Sequence, residues 1–360
     1  MDRHLSIFVG GINALTIPDA EAVEWETKTA LNGQSVGRGG GGVDIGPDLV
    51  RRLIDDQFPK WGHLPIQQIE PGGWDNRTFR LGSTMTVRLP SHAAYEAQVA
   101  KEQQWLPTLA AHVPVAIPVP IAEGLPSDEY PWHWSIYRWI EGTTAHDAAI
   151  SDLKTFAGDV AQFLLALQRT NPVGGPSPGP HNFYRGGSLA VYDRETREAI
   201  QVLDSQIDIA SATAVWDAAL ESCWDDPPVW VHGDISSTNL LVQNGRLRAV
   251  IDFGCLGIGD PACDLVIAWT FFSGLSREAF CRHLEADDRT WARARGWAIW
   301  KALITLADPA VNRLNCEEAG RVINDVISGF KRHPSPVLPT SSCIIGGECS
   351  LYSAKTDKSH

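Results

Sequence analysis

Several common signatures are missing from this sequence. It has no run of about eighteen apolar residues, so we expect no transmembrane helix. It has no C-x-x-C pair, no G-K-[ST] triplet and no H-E-x-x-H motif, which excludes the usual structural zinc site, Walker-A loop and zinc-protease centre. Positive charge is also scarce, since 30 Lys and Arg face 43 Asp and Glu. The formal net charge of −13 argues against a nucleic-acid-binding surface.

The composition points to a globular protein of a reducing compartment. The seven cysteines are odd in number, which favours free thiols over a disulfide framework. Hydrophobic residues make up 44% of the 360 residues, a typical value for a globular chain that is long enough for two lobes with their own cores. We therefore expect a cytoplasmic protein.

The stretch 229–265 carries the strongest pattern. An apolar run leads into H-G-D at 232–234, and Asn239 follows after four intervening residues. Two short predicted strands, joined by an Asn244–Gly245 turn, then lead into D-F-G at 252–254. Because the two strands form a hairpin, both acidic loops end at the same edge of it.

These residue types suit the transfer of a phosphoryl group. Such a group is strongly anionic, so a protein mainly positions it and neutralises its charge with metal. Asp234 is placed to take the proton of an acceptor hydroxyl, while Asn239 and Asp252 offer the oxygen ligands that Mg²⁺ prefers. H-x-D-x-x-x-x-N followed by D-F-G is the catalytic-loop and metal-loop pair of kinases. A structural hairpin with acidic caps is the alternative, but the ordered set favours the kinase interpretation.

With its continuation G-D-P-A-C-D-L at 259–265, this stretch resembles the aminoglycoside phosphotransferase family of small-molecule kinases. The resemblance implies an α+β, two-lobed protein-kinase-like fold, with a small β-rich N-lobe and a larger helical C-lobe. It implies that Asp234 is the catalytic base and that Asn239 and Asp252 bind Mg²⁺.

Two further acidic residues match a pair that mainly supports structure in that family. They are Asp260 and Asp264. Pro261 follows Asp260 directly, the arrangement of a helix N-cap before a proline, so we expect Asp260 to cap a helix.

The resemblance and the composition together divide the chain into four parts. We expect a flexible extension over 1–43, a nucleotide-binding N-lobe over 44–141, a catalytic and substrate-binding C-lobe over 142–333, and a disordered tail over 334–360. The glycine run at 37–42 formally matches a dinucleotide-binding motif. No strand precedes it, so we interpret it as a flexible linker.

The N-lobe holds two candidate phosphate contacts. Gly72 and Gly73 form a turn between predicted strands, where backbone N–H groups can approach an anion, although an ordinary turn is the alternative. Arg88 lies where kinases carry the lysine of V-A-I-K. Its guanidinium keeps a permanent charge and a forked donor for phosphate, or else Arg88 is a solvated strand residue.

The remaining nucleotide contacts follow from the resemblance alone. It pairs Arg88 with a glutamate on the predicted helix 93–109, and Glu102 fits the family's spacing best, with Glu96 as the alternative. It also implies that the backbone of Arg138 and Ile140 meets the adenine.

The implied reaction moves the γ-phosphoryl group of ATP (or GTP), with Mg²⁺, to a hydroxyl of a small molecule. The acceptor is either an aminoglycoside or related antibiotic, or an ordinary metabolite alcohol. A catalytically silent nucleotide-binding protein of the same fold is the alternative. We expect a monomer or homodimer whose partner is a small molecule, with no nucleic acid and no membrane. Four acidic residues could receive a cationic substrate, although a solvated acidic face explains them better: Glu285, Asp287, Asp288 and Asp308.

Overall fold

A computed structural model of the protein describes residues 43–69 and 75–332. Residues 1–42 of the predicted extension, the predicted tail, and Gly72 and Gly73 of the predicted turn lie outside these ranges. Within them, the helices are α1 Pro47–Gln57, α2 Glu96–Ala110, α3 Leu153–Arg169, α4 Asp193–Val202, α5 Ile209–Glu221, α6 Ile267–Thr270, α7 Gly274–Leu284, α8 Asp288–Ala307 and α9 Arg313–Arg332. The strands are β1 Ile66–Gln68, β2 Asn76–Leu81, β3 Met85–Pro90, β4 Pro120–Gly124, β5 Trp134–Arg138, β6 Thr143–Thr144, β7 Val229–Val231, β8 Leu240–Gln243, β9 Arg246–Val250 and β10 Gly257–Gly259.

The smaller lobe is built on an antiparallel sheet of five strands in the order β1-β2-β3-β5-β4. α1 begins at Pro47, which suits the first turn of a helix because proline lacks an N–H. Its apolar stripe, which includes Leu49 and Leu53, packs into one apolar cluster with the sheet residues Phe79, Val87 and Ile136. This cluster is the core of the small lobe.

Alternation along β3 sets the position of its basic residue. Met85, Val87 and Leu89 are buried in the small-lobe core, whereas Thr86 and Arg88 are only partly buried. Because successive strand residues point to opposite faces, Arg88 leaves the core on the face of the sheet that α2 covers. The alternation of residues along β3 therefore directs Arg88 toward the space between the lobes.

The larger lobe is mainly helical. α3 packs against α7, and α8 packs against both α5 and α9. These helices share a second apolar cluster with the strands β7, β8 and β9. Four of its largest fully buried side chains are indoles: Trp216, Trp230, Trp297 and Trp300.

Two small sheets carry the motif loops of this lobe. β7 pairs with β10, and β8 pairs with both β6 and β9. Asn244 and Gly245 join β8 to β9 with φ angles of 53° and 74°, the left-handed conformation of a tight hairpin turn. H-G-D follows β7 and D-F-G follows β9, so the hairpin predicted from the sequence is confirmed.

The thiols only partly match the expectation. Within the described residues, Cys255, Cys263, Cys281 and Cys316 are free. Cys223 is disulfide-bonded, so the expectation of free thiols is wrong for this residue. The spacing of cysteines along the chain does not show which distant pairs meet in the fold.

In the part of the chain that the structure describes, each helix is too short or too polar to cross a bilayer.

Candidate active site

Asp234 and Asn239, the two candidate site residues of the H-G-D loop, are joined directly. The Asn239 Nδ2 amide donates to the Asp234 carbonyl oxygen at 2.9 Å and to Asp234 Oδ2 at 3.0 Å. Asn239 is buried, whereas Asp234 is partly exposed and lines a cavity. The loop therefore presents one carboxylate to the cavity in a fixed orientation.

Asp264 holds the backbone of this loop in place. Its carboxylate accepts the His232 N–H at 2.8 Å and the Gly233 N–H at 2.7 Å, and only 1% of the residue is exposed. Gly233 has a φ of +82°, and a Cβ at this position would lie 2.5 Å from the Cys255 carbonyl oxygen. Only glycine suits this conformation and this close approach.

His232 is the second support of the loop. Its Nδ1 accepts the Asp234 N–H at 3.2 Å, and its Nε2 lies 3.1 Å from the Ile251 carbonyl oxygen, to which it donates when Nδ1 is the acceptor. Burial lowers the pKa of His232 to about 4, so the imidazole is neutral at physiological pH. A neutral imidazole joins the H-G-D loop to the end of β9 before Asp252.

The predicted capping role of Asp260 is confirmed. Its Oδ1 accepts the Ala262 N–H at 3.0 Å at the start of a 3₁₀ helix, Pro261–Val266. The same carboxylate pairs with the buried Arg293, whose Nε lies 2.6 Å from Asp260 Oδ2.

Arg88 lies between the two lobes and contacts carboxylates on both sides. Its Nη2 donates to Asp252 Oδ1 at 2.7 Å, and its Nη1 lies 3.4 Å from Glu102 Oε1 on α2. Tyr137 donates its hydroxyl to the other Glu102 oxygen. The alternative partner, Glu96, instead contacts His133 at 3.0 Å.

The carboxylates of the two motif loops differ in their electrostatic surroundings. Burial, with the nearby Asp252, raises the pKa of Asp234 to about 6. Burial alone would also raise the pKa of Asp252, but Arg88 holds it below its usual value. Two carboxyl groups whose pKa values are pushed apart suit different roles, one as a proton acceptor and one as a permanent anion.

The residues at this point suit a magnesium ion. Asn239 uses its amide nitrogen toward Asp234, which leaves its Oδ1 without a described partner, and Asp252 keeps Oδ2 after Arg88 takes Oδ1. The described residues hold no group of three or more His, Cys, Asp or Glu side chains able to bind a metal. Mg²⁺ is usually held by one or two protein oxygens together with substrate phosphates, so these two donors fit it.

In the segment predicted to contact adenine, one backbone group is already used in a hydrogen bond to a neighbouring segment of the sheet. The Arg138 N–H donates to the Val119 carbonyl at 3.1 Å, so Arg138 has no N–H free for a base. Among the described residues, the N–H and carbonyl of Ile140 have no hydrogen-bond partner. Ile140 therefore keeps both backbone groups available, and Arg138 can offer only its carbonyl.

Sequence reasoning missed two residues near the D-F-G loop. Asp75 accepts from Gln98 Nε2 at 3.2 Å, and burial, with the nearby Asp252, raises the pKa of Asp75 to about 7. Lys101 on α2 is buried and donates to the Gly254 carbonyl at 2.7 Å. A lysine beside a glutamate in a helix is typical of a surface pair, and only the fold places Lys101 inside.

A cavity of about 410 Å³ opens beside Asp234. Arg185 and Lys301 line it, and the sequence analysis assigned neither of them. The sequence could have indicated Lys301, because this charged residue interrupts an otherwise apolar stretch, 296–304, on α8. The sequence gives no comparable indication for Arg185, because the loop around it has no periodicity.

The model of the family described as phosphotransferase enzyme family matches residues 66–297. Uncharacterized protein YcbJ of Bacillus subtilis (strain 168) is 24% identical over 200 residues, which cover 52% of this chain and 60% of that protein. Hygromycin-B 4-O-kinase of Escherichia coli is 26% identical over 155 residues, which cover 40% of this chain and 45% of that kinase. The chain thus spans about half the length of the curated relatives it matches.

Solved structures match over more of the chain. The GDP complex of wild-type aminoglycoside 2'-phosphotransferase-IIIa gives a TM-score of 0.58 at 18% identity, covering 78% of this chain and 98% of that chain. Macrolide 2'-phosphotransferase MphH from Brachybacterium faecium gives 0.52 at 21% identity, covering 77% and 98%. These likenesses confirm the predicted α+β, two-lobed kinase-like fold.

Proposed function

The chain belongs to the phosphotransferase enzyme family, and from this we propose that it transfers the γ-phosphoryl group of ATP or GTP to a hydroxyl of a small molecule. One observation carries the proposal. Asp234, oriented by Asn239, lines a cavity, and the Arg88–Asp252 ion pair lies at the same junction of the lobes. A proton acceptor, a phosphate-binding cation and two magnesium-type oxygen donors are the parts that phosphoryl transfer uses.

In the proposed reaction, the acceptor oxygen forms a bond to the γ-phosphorus. The bond from the γ-phosphorus to its bridging oxygen breaks, and the nucleoside diphosphate leaves. Asp234 takes the hydroxyl proton as the acceptor oxygen attacks, and Asn239 keeps its carboxylate in line. Asn239 and Asp252 would hold Mg²⁺, which when bound neutralises phosphate charge.

The nucleotide site is assigned to the small lobe, over 44–141, with the acceptor site in 142–333. Arg88 binds the phosphates, and Glu102 holds Arg88 from the other side. Backbone groups of Ile140, with the Arg138 carbonyl, meet the base. Gly72 and Gly73 are further proposed phosphate contacts, through their backbone N–H groups.

Nucleoside diphosphate release tests the proposal. Purified protein is incubated with Mg²⁺, ATP or GTP and a panel of hydroxyl compounds that includes aminoglycosides, macrolides and metabolite alcohols. We expect stimulated release that falls roughly 10²- to 10⁴-fold in Asp234→Ala, the usual contribution of one acid–base group. Asp226→Ala, which removes an exposed carboxylate outside the cavity, should leave release unchanged.

Two results would count against the proposal. Full turnover in Asp234→Ala would remove this residue from the chemistry. Mg-nucleotide binding in the wild type without release for every acceptor would favour the catalytically silent interpretation.

A further inference from the structure

The cavity beside Asp234 has an unusual balance of charge for a site that accepts amines. Its wall is largely apolar and includes Val266, Phe271 and Trp297. Two of its ionisable side chains are cations, Arg185 and Lys301. A cavity of about 410 Å³ is large enough for a small organic acceptor.

Arg185 is a buried cation that forms no ion pair with any carboxylate of the described residues. Only 8% of the residue is exposed, and its Nε has no hydrogen-bond partner within the described part of the chain. Its guanidinium carbon lies 5.0 Å from the centroid of the Trp297 ring and 4.9 Å from that of Trp300. The two indoles therefore hold in position a forked donor of the kind that binds carboxylate or phosphate groups.

Lys301 adds a second positive charge to the same wall. Burial, together with Arg185, lowers the pKa of Lys301 to about 8, although Asp234, Glu195 and Asp308 act in the opposite direction. The surrounding carboxylates therefore do not fully offset the free-energy cost of burying a charged Lys301 ammonium beside Arg185. An additional anion in the cavity would lower that cost.

The acidic side chains near the cavity do not form a receptor for amines. Glu318 lines the cavity, but it is paired with Arg321, whose Nε lies 2.8 Å from Glu318 Oε2. Within the described residues, Asp234 is the other carboxylate of the wall. The four acidic residues that the sequence offered for a cationic substrate do not line the cavity: Glu285, Asp287, Asp288 and Asp308.

We infer that the acceptor is a hydroxyl compound with an apolar body and an anionic group, and that Arg185 and Lys301 bind that anion while Asp234 faces the hydroxyl. This inference rests on the proposed phosphotransferase function. The anion is a carboxylate or a phosphate monoester, since both accept two parallel hydrogen bonds from a guanidinium. A polyamine such as an aminoglycoside would meet two like charges there.

Matched acceptors provide the first test. Each hydroxy acid of the panel is compared with its methyl ester and with the amino alcohol of the same carbon skeleton, and hydroxyalkyl phosphates form a separate arm. Binding is measured by calorimetric titration in the presence of Mg²⁺ and a non-hydrolysable ATP analogue, and turnover is measured by ADP release. We expect the acids or the phosphates to bind and turn over at least tenfold better than their neutral and cationic counterparts, because a hydrogen bond between two charged groups is stronger than one between neutral groups.

Variants of Lys301 test the assigned contact. Lys301→Gln should raise KM for the anionic acceptor about 10- to 100-fold and leave KM for ATP unchanged. Lys301→Glu should shift the preference toward the amino alcohol, a reversal that a purely structural role would not produce. Arg185→Lys keeps the charge but loses the forked donor, so it should show a smaller increase in KM. Lys154→Gln, an exposed lysine outside the cavity, is the matched control.

The outcomes separate this inference from the proposed function. Stimulation by amines or neutral alcohols that exceeds stimulation by every acid and phosphate would overturn the inference and leave the phosphotransferase proposal standing. A loss of kcat in Lys301→Gln with unchanged KM for the acceptor would also overturn it, since Lys301 would then act on the transferred group. Acid binding that requires Lys301 but never yields ADP would support the anion site and contradict the proposed function. Failure of every acid and phosphate to bind overturns the inference.

Discussion

Asp264 shows how one buried carboxylate can fix the backbone of the H-G-D loop, because it accepts both the His232 and the Gly233 N–H. Asp264→Ala should lower the free energy of unfolding by roughly 2–4 kcal/mol, since each buried N–H left without a partner costs about 1–3 kcal/mol. Urea unfolding followed by fluorescence measures the change. Turnover of the folded variant should fall as well, because the backbone before Asp234 is no longer held.

The matched control for this substitution is Asp226→Ala. Asp226 is exposed, so the same change of side chain should alter unfolding by less than about 0.5 kcal/mol. Equal effects of the two substitutions would show that the Asp264 hydrogen bonds do not stabilise the loop.

His232 makes stability depend on pH. Burial lowers its pKa from the ordinary histidine value of 6.5 to about 4. As the pH falls from about 7 to about 5, the unfolded chain takes up a proton at this position and the folded chain does not, so stability falls with pH. The contribution lost is about 2 kcal/mol.

Urea unfolding at about pH 7 and about pH 5 checks this prediction. Wild type should lose about 2 kcal/mol more than His232→Gln between the two pH values. The carboxyl groups titrate in both proteins, so the difference between them isolates the imidazole. Equal losses would be inconsistent with a neutral buried His232.

At the residue scale, the sequence predicted what depends on local spacing. Asp234, Asn239 and Asp252 are joined by one hairpin, so their order along the chain was enough to group them. Arg185 and Lys301 are more than one hundred residues apart, on a loop and on α8. No local pattern relates them to Asp234, and only packing brings them to one cavity.

At the element scale, Gly296 controls how closely α8 approaches α5. A Cβ at this position would lie 2.5 Å from Ala219 Cβ and 2.7 Å from Leu189 Cδ1. Gly296→Ala should therefore lower the free energy of unfolding by about 1–2 kcal/mol, although alanine favours a helix by about 1 kcal/mol over glycine. Thermal or urea unfolding measures the change.

Gly320 on α9 is the matched control. Nothing in the described part of the chain lies within 4 Å of a Cβ built at this position. Gly320→Ala should therefore raise stability by about 0.4–1 kcal/mol, the opposite sign to Gly296→Ala. If both substitutions stabilised the protein, the close approach of α5 and α8 would not limit side-chain size at Gly296.

Elements with a clear period were predicted well from sequence. The apolar periods predict helices over 44–58 and 152–168 and a strand over 85–89, and the structure has α1, α3 and β3 in these segments. The prolines at 114, 118 and 120 predict only an extended segment, so the edge strand β4, which begins at Pro120, was not predicted. The segment 181–192 has no clear period, so from sequence we expect only that it lies at a lobe surface or on the substrate side; the structure places its Arg185 in the cavity wall.

For the whole molecule, the two apolar clusters predict two unfolding steps, one for the small-lobe cluster and one for the helical-lobe cluster, which also includes Leu106, Leu109 and Tyr137 of the small lobe. The small-lobe cluster is the smaller of the two, so its lobe should unfold at the lower temperature. Differential scanning calorimetry should then give a calorimetric enthalpy larger than the van't Hoff enthalpy. Equal enthalpies would contradict this prediction.

Two matched substitutions assign the steps to the lobes. Leu81→Ala removes a fully buried side chain of the small-lobe cluster, and Leu303→Ala removes one of the helical-lobe cluster. Each should cost about 2–5 kcal/mol. Leu81→Ala should lower only the first transition, and Leu303→Ala only the second.

The ion pair between Arg88 and Asp252 has a consequence for the order of binding. In the proposed mechanism, Arg88 serves the phosphates and Asp252 serves the metal, yet in the free protein each satisfies the other at 2.7 Å. A metal ion arriving alone would compete with the guanidinium for Asp252, and a nucleotide arriving alone would leave this carboxylate uncompensated beside the phosphates. Each ligand offers the replacement partner that the other displaces, so the two affinities are reciprocally coupled. In the proposed mechanism, the cleft therefore binds metal and nucleotide together more favourably than either ligand alone.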